Sequence, residues 1–345
     1  MENNYCFKPS ENYSYLLANA KKSLSWKNKH EITNFQEWQE KLKSKLMELI
    51  HCTSDDFQIT SHLISTHSED LYEHLSYVIK TSPQNDVPVQ ILIPNLGLNN
   101  YPVMICLQGH TPGAHISMGV AKSLKDEEYL EGGRDFALQA VKNGFIAVVV
   151  EQKCFGQRKD DIISQRAPSV CYQSAVKSLL LGSTLIAERV NDIIKIINFL
   201  ETLDIVQNEN ICIMGNSGGG TISLYSAALD SRIKLTCVSC AFCTYEDSIF
   251  SLYHCLDNII PNILQYAEMA DVAGLICPRN LIIVAGQKDH LFPIGGVKKA
   301  YHDLNEIYHF ETKNNCSLLI GEEGHRFYPT LAWPLINSLI NIHKL

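Results

Sequence analysis

The stretch Ile211-Cys212-Ile213-Met214-Gly215-Asn216-Ser217-Gly218-Gly219-Gly220-Thr221 constrains this chain more than any other. Three apolar residues run into a small-x-Ser-x-small turn, and a helical pattern from Ser223 to Leu229 follows at once. The pattern predicts strand, sharp turn and helix, with Ser217 lifted to the tip of a nucleophile elbow. Such a turn has strained backbone angles, and Gly215 and Gly219 must lack side chains for strand and helix to approach closely. The first helical amides then stand behind Ser217, where they can hold an oxyanion.

The 345 residues suit one large α/β domain with an extension, and 46% apolar residues provide for a sizeable core. A net charge of -8 argues against a nucleic-acid partner. The basic-rich stretch from Lys21 to Lys45 is interleaved with acids and aromatics and reads as a solvated helix face. Residues 1–20 lack the charged head and apolar block of a signal peptide, and no window approaches 18 apolar residues, so a cytoplasmic protein without a membrane partner is expected. Twelve cysteines are scattered, many inside apolar runs, and read as reduced core thiols. Cys237, Cys240 and Cys243 lie close together, but no second ligand cluster accompanies them, and no metal site is expected there.

The first 55 residues read as a helical extension: Asn34 is a candidate N-cap with Glu37 three positions on, and Phe35, Trp38, Leu42, Leu46 and Leu49 follow at helical spacing. From Phe57 to Ile93 the period changes to two, which predicts an antiparallel meander. Thereafter buried-strand runs (101–107, 145–150, 211–214, 233–238, 281–285, 317–320) alternate with helices (134–142, 179–203, 329–342). This order predicts a mostly parallel, doubly wound sheet over residues 56–345, with ligands at the carboxyl ends of its strands. Residues 242–273 interrupt the alternation and suggest a small cap over the site.

A serine needs a base, and the base needs an acid to fix its tautomer. At a strand-to-helix elbow these follow in the order Ser, Asp or Glu, His. Asp289 follows the strand Leu281 to Ala285, and His325 follows Ser317 to Ile320, so both fall at strand ends. His290 is a competing base, and Glu246 and Asp247 are alternative acids. The oxyanion donors would be the amides of Gly218 and of His110, which lies in the loop after the early central strand. Gln108, His115, Arg134 and Arg158 are candidate substrate-binding residues, with a structural salt bridge the competing reading for each arginine.

Several of these motifs together, the strand-end Gln-Gly-His, Cys-Phe-Gly-Gln-Arg, Gly-Asn-Ser-Gly-Gly-Gly, Cys-Pro-Arg-Asn-Leu and Gly-His-Arg-Phe, are similar to the acetyl-xylan-esterase-like and dienelactone-hydrolase-like branch of the α/β-hydrolases. The resemblance spans roughly residues 55–345. It implies an α/β-hydrolase fold, a Ser217–His325–Asp289 triad, and hydrolysis of a small-molecule carboxylic ester with a short acyl group such as acetate, with no metal or organic cofactor. Gln108 stands where many relatives have histidine, a change that a backbone oxyanion donor tolerates. A peptidase or amidase, a transacylase, and a catalytically silent binding protein of the same fold are the competing functions. Self-association as a homo-oligomer is open, since the apolar N-terminal helix could pack within its own subunit or against a partner.

Overall fold

A computed structural model describes residues 6–31, 34–52, 57–110, 112–160, 169, 171–312 and 314–340. Its sheet has nine strands among these residues: β1 (Thr60–Ser68), β2 (Tyr72–Ser82), β3 (Asn85–Pro94), β4 (Tyr101–Leu107), β5 (Ile146–Val150), β6 (Val206–Asn216), β7 (Ile233–Ser239), β8 (Asn280–Gly286) and β9 (Cys316–Gly321). Their spatial order is β1-β2-β3-β5-β4-β6-β7-β8-β9. The first three form the predicted antiparallel meander, β3 pairs antiparallel with β5, and β5 through β9 run parallel. Parallel strands need crossovers on both faces, so their side chains have no wet side. β4 and β5 are accordingly buried at every residue.

Helices flank both faces: α1 (Pro9–Ala18), α2 (Phe35–Ile50), α3 (Leu124–Glu131), α4 (Phe136–Lys142), α5 (Tyr172–Leu180), α6 (Leu185–Leu200), α7 (Gly218–Leu229), α8 (Met269–Gly274), α9 (Ile294–Phe310) and α10 (Pro329–Leu339). In α2, Asn34 caps as expected, accepting hydrogen bonds from the amides of Gln36 and Glu37. The α2 face that carries Phe35, Trp38, Leu42, Leu46 and Ile50 is buried in the main core. The extension is thus packed on the same core as the sheet, with Trp26 edge-on to Trp38 at 5.0 Å.

One helical expectation is overturned, at least one helix is unexpected, and one expected helix end lies outside the described residues. The helix predicted over 179–203 is two helices, α5 and α6, because Gly182 takes φ +80° and Thr184 then caps α6 by accepting from the Ala187 amide. The helix α3 follows a Ser123 cap and lacks the apolar stripe that would have betrayed it. The final helix ends at Leu339; its predicted continuation to Ile342, like the extension boundary at residues 55 and 56, reaches beyond the described residues.

Candidate functional site

The elbow has the geometry its sequence demands. Ser217 takes φ 57° and ψ −127°, between the end of β6 and the first turn of α7. A Cβ on Gly215 would lie 2.4 Å from the Gly219 carbonyl, and one on Gly219 would lie 2.2 Å from the Leu107 carbonyl oxygen. The glycines therefore let α7 start directly against β4 and β6. Strain of about 1–3 kcal/mol at such a serine persists only when surrounding packing holds it. Here the Ser217 amide donates to the Ser239 carbonyl at 2.9 Å, and Asn216, fully buried, accepts from the Ser239 hydroxyl at 2.8 Å.

Asp289 stands in the loop after β8 and His325 in the loop after β9. Asp289 Oδ2 lies 2.8 Å from His325 Nδ1, while Oδ1 accepts from the amides of Leu291 and Phe292 at 2.9 and 3.2 Å. Burial opposes the charge on Asp289, yet the contact with His325 and the two amides together hold the carboxyl below its usual range. A carboxylate so placed favours the imidazole tautomer with its proton on Nδ1, leaving Nε2 as the proton acceptor. The Phe292 ring lies nearly parallel to the His325 ring at 6.2 Å.

Ser217, Gly218, His110, Arg134 and His325 line one cavity of about 310 Å³, together with Asn258, Phe292 and the exposed Tyr253. The loop after β4 presses against the elbow: a Cβ on Gly109 would be 2.8 Å from Ser217 Cβ. This close approach brings His110 beside Gly218. His110 Nε2 lies 3.1 Å from Oδ2 of Asp257, which also receives Arg189 Nη1 at 2.7 Å. Burial disfavours charge on His110, but Asp257 outweighs it and pushes the imidazole up to about 9.

Of the four suggested substrate-binding residues, only Arg134 lines this cavity. Its Nη2 donates to the His325 carbonyl at 3.0 Å. Gln108 is corrected to a buried structural residue: its Nε2 donates to Ser117 Oγ and to the Arg134 carbonyl at 2.6 and 2.7 Å. His115 is turned away toward Asp126, 3.0 Å distant, in a separate cavity of about 500 Å³. Arg158 is also corrected, because its guanidinium pairs with Asp192 at 2.8 Å and with Asn85 Oδ1 at 2.7 Å. The physical reason is the strand order, which inserts β4 between β5 and the elbow strand, so Arg158, at the far end of the loop after β5, reaches Asn85 at the start of β3 rather than the cavity.

The alternatives weighed for base and acid do not converge on Ser217. His290 is exposed, and Asp247 and Glu246 face Lys299 at 3.7 and 3.5 Å. The segment 242–273 does contribute to the cavity, through Tyr253, His254, Cys255 and Asn258. Its interruption of the strand-helix alternation was the available signal, but nothing in its spacing singled out these residues. Among the described residues, two groups bring metal-ligating atoms within 4.8 Å of one another: His110, Cys171, Cys255 and Asp257, and separately Cys240, Asp289 and His325. Among them too, no helix is long and apolar enough to cross a membrane.

Comparison with known proteins adds the ancestry. The model of the Abhydrolase family matches residues 13–322. A Bacillus subtilis (strain 168) protein named "Putative hydrolase YtaP" is 23% identical over 220 residues, covering 63% of this chain and 71% of its own. A Bacteroides fragilis NCTC 9343 structure, described as "a putative acetyl xylan esterase", superposes with TM-score 0.79 at 16% identity, covering 99% of this chain and 97% of the other. A glucuronoyl esterase from Solibacter usitatus superposes with TM-score 0.65 at 11% identity, covering 89% and 93%.

Proposed function

The chain belongs to the Abhydrolase family and has the α/β-hydrolase fold, and from that premise we propose that it is a serine hydrolase of small carboxylic esters, with short acyl groups preferred. The observation that carries this reading is that Ser217, at the tip of its elbow, shares one cavity with His325, whose Nδ1 is held by Asp289. Ser217 Oγ attacks the ester carbonyl while His325 Nε2 takes its proton. Asp289 orients the ring and stabilises the imidazolium. The amides of Gly218 and His110 receive the oxyanion, and His325 returns the proton to the departing alcohol. Water, activated by the same imidazole, then releases the acid from the acyl-enzyme.

The cavity size supports a small substrate, since about 310 Å³ is near the lower end of ordinary ligand sites. The acetyl xylan esterase and glucuronoyl esterase structures of similar fold support an ester bond as the target. Arg134, on the cavity wall, is the residue placed to meet a carboxylate or carbonyl on the alcohol portion.

Hydrolysis of p-nitrophenyl acetate, butyrate and octanoate, with a peptide anilide alongside, tests the proposal. The expected result is turnover that falls with acyl length, exceeds anilide cleavage, and is lost in Ser217→Ala and His325→Ala. Ester turnover indifferent to Ser217, or faster anilide cleavage, would reject it.

A further inference from the structure

Behind the wall of the cavity, the loop after β4, the start of α5 and the loop at 255–258 bring together groups that share no sequence motif. His110, Cys171, Cys255 and Asp257 each offer one ligand atom, and all four atoms lie within 4.8 Å of one another. We propose that these four residues form a binding site for a thiophilic divalent cation, with zinc the best match.

The donor chemistry selects the ion. Two thiols, an imidazole and a carboxylate suit zinc, whereas magnesium and calcium take oxygen ligands. A tetrahedral zinc, with bonds of about 2.0–2.3 Å, sets its donors roughly 3.3–3.8 Å apart. His110 Nε2 and Asp257 Oδ2 are already 3.1 Å apart, so closing the site asks for movements of about an ångström by side chains. His110 Nε2 is also shielded from solvent, with the Asp257 carboxylate at 3.1 Å as its ion-pair partner. A metal ion bound there would replace the proton that this nitrogen shares with Asp257, and that proton would be released to solvent.

A second layer holds the ligands. Arg189 donates from Nη1 to Asp257 Oδ2 at 2.7 Å and from Nη2 to Cys171 Sγ at 3.2 Å. Asn258 Nδ2 donates to Asp257 Oδ1 at 3.0 Å, and Ser169 Oγ lies 2.9 Å from Cys255 Sγ. Such outer contacts are what orient metal ligands and raise or moderate their charge. With both thiols deprotonated and Arg189 retained, a dication leaves the site electrically neutral. Four protein ligands fill a tetrahedron, so the ion is a staple rather than a reaction centre. It would tie the 255–258 loop and the start of α5 to the loop that carries the His110 amide.

Cobalt(II) titration of the purified, metal-stripped full chain, followed by zinc displacement, tests the site without any turnover assay. One cobalt per chain is expected, with a thiolate-to-cobalt charge-transfer band and the intense visible bands of a tetrahedral ion. Both signatures should vanish on adding zinc. Cys255→Ser, at a half-buried position, and Cys171→Ser should each lose the charge-transfer intensity and bind more weakly. Cys240→Ala, in the other ligand group, should keep them, and circular dichroism of each variant establishes its folding. Failure of the wild type to bind cobalt stoichiometrically, or a charge-transfer band that survives Cys255→Ser, would overturn the proposal. Neither outcome touches the esterase reading, which uses only the main chain of His110.

Discussion

Two histidine–aspartate pairs flank Ser217, and they differ in what else the carboxylate holds. Asp289 gives one oxygen to His325 at 2.8 Å and the other to two main-chain amides. Its partners other than His325 are uncharged, so in the proposed mechanism the full countercharge is available to the imidazolium that would form and discharge there. Asp257 shares a single oxygen between His110 at 3.1 Å and the fully buried Arg189 at 2.7 Å. There the aspartate is bound into a permanent cluster, and His110 is already pushed up to about 9. In the proposed mechanism the same two residue types thus give a proton shuttle on one side of Ser217 and a fixed electrostatic brace on the other.

The sharpest way to break this contrast is to remove the shuttle. Ser217→Ala or His325→Ala should lower ester turnover by about 10⁴- to 10⁶-fold, measured as steady-state kcat. Asp289→Asn should cost about 10⁴-fold, because an amide cannot enforce the Nδ1–H tautomer. A loss confined to tenfold would mean that Asp289 is not the orienting acid.

Removing the brace should instead be felt in folding. Asp257→Ala leaves the Arg189 charge buried and unpaired, which costs about 3–5 kcal/mol in a denaturant titration. Burial opposes ionisation of Asp257, but Arg189 and His110 together hold it well below the usual carboxylate range. A depressed folded value means that this contribution is fully present above about pH 4, the unfolded value, and is lost as pH falls through the folded one. The acid limb of the wild-type stability profile should therefore flatten in Asp257→Asn. The smallest effect is expected from His110→Ala: less than about tenfold in kcat, since its oxyanion donor is main chain, against the 10²–10³ that follows loss of such a donor. A fall as deep as that of His325→Ala would erase the distinction between the pairs.

What the sequence could disclose followed from how local each signal is. Ser217, Asp289 and His325 each directly follow an apolar strand, so strand direction alone brings them to one edge of the sheet. The elbow glycine Gly215 is likewise explained by a contact within one turn, whereas Gly219 answers to the Leu107 carbonyl of β4. Arg158 obeys the same strand-end logic, yet it points to Asn85 and Asp192, because the order β3-β5-β4-β6 is a tertiary fact that local periodicity does not encode. His115 was unreadable for a related reason: its partner Asp126 sits on α3, a helix without an apolar stripe. The cluster of His110, Cys171, Cys255 and Asp257 has no spacing signature, since crossover connections assemble it from separate parts of the chain.

The account rests on Ser217 being the activated nucleophile, and a fluorophosphonate probe with intact-mass analysis measures that directly. One adduct per chain should form at neutral pH, map to Ser217, disappear in Ser217→Ala and form far more slowly in His325→Ala, while His110→Ala labels near the wild-type rate. Absence of labelling, or an adduct that persists without Ser217, would contradict it.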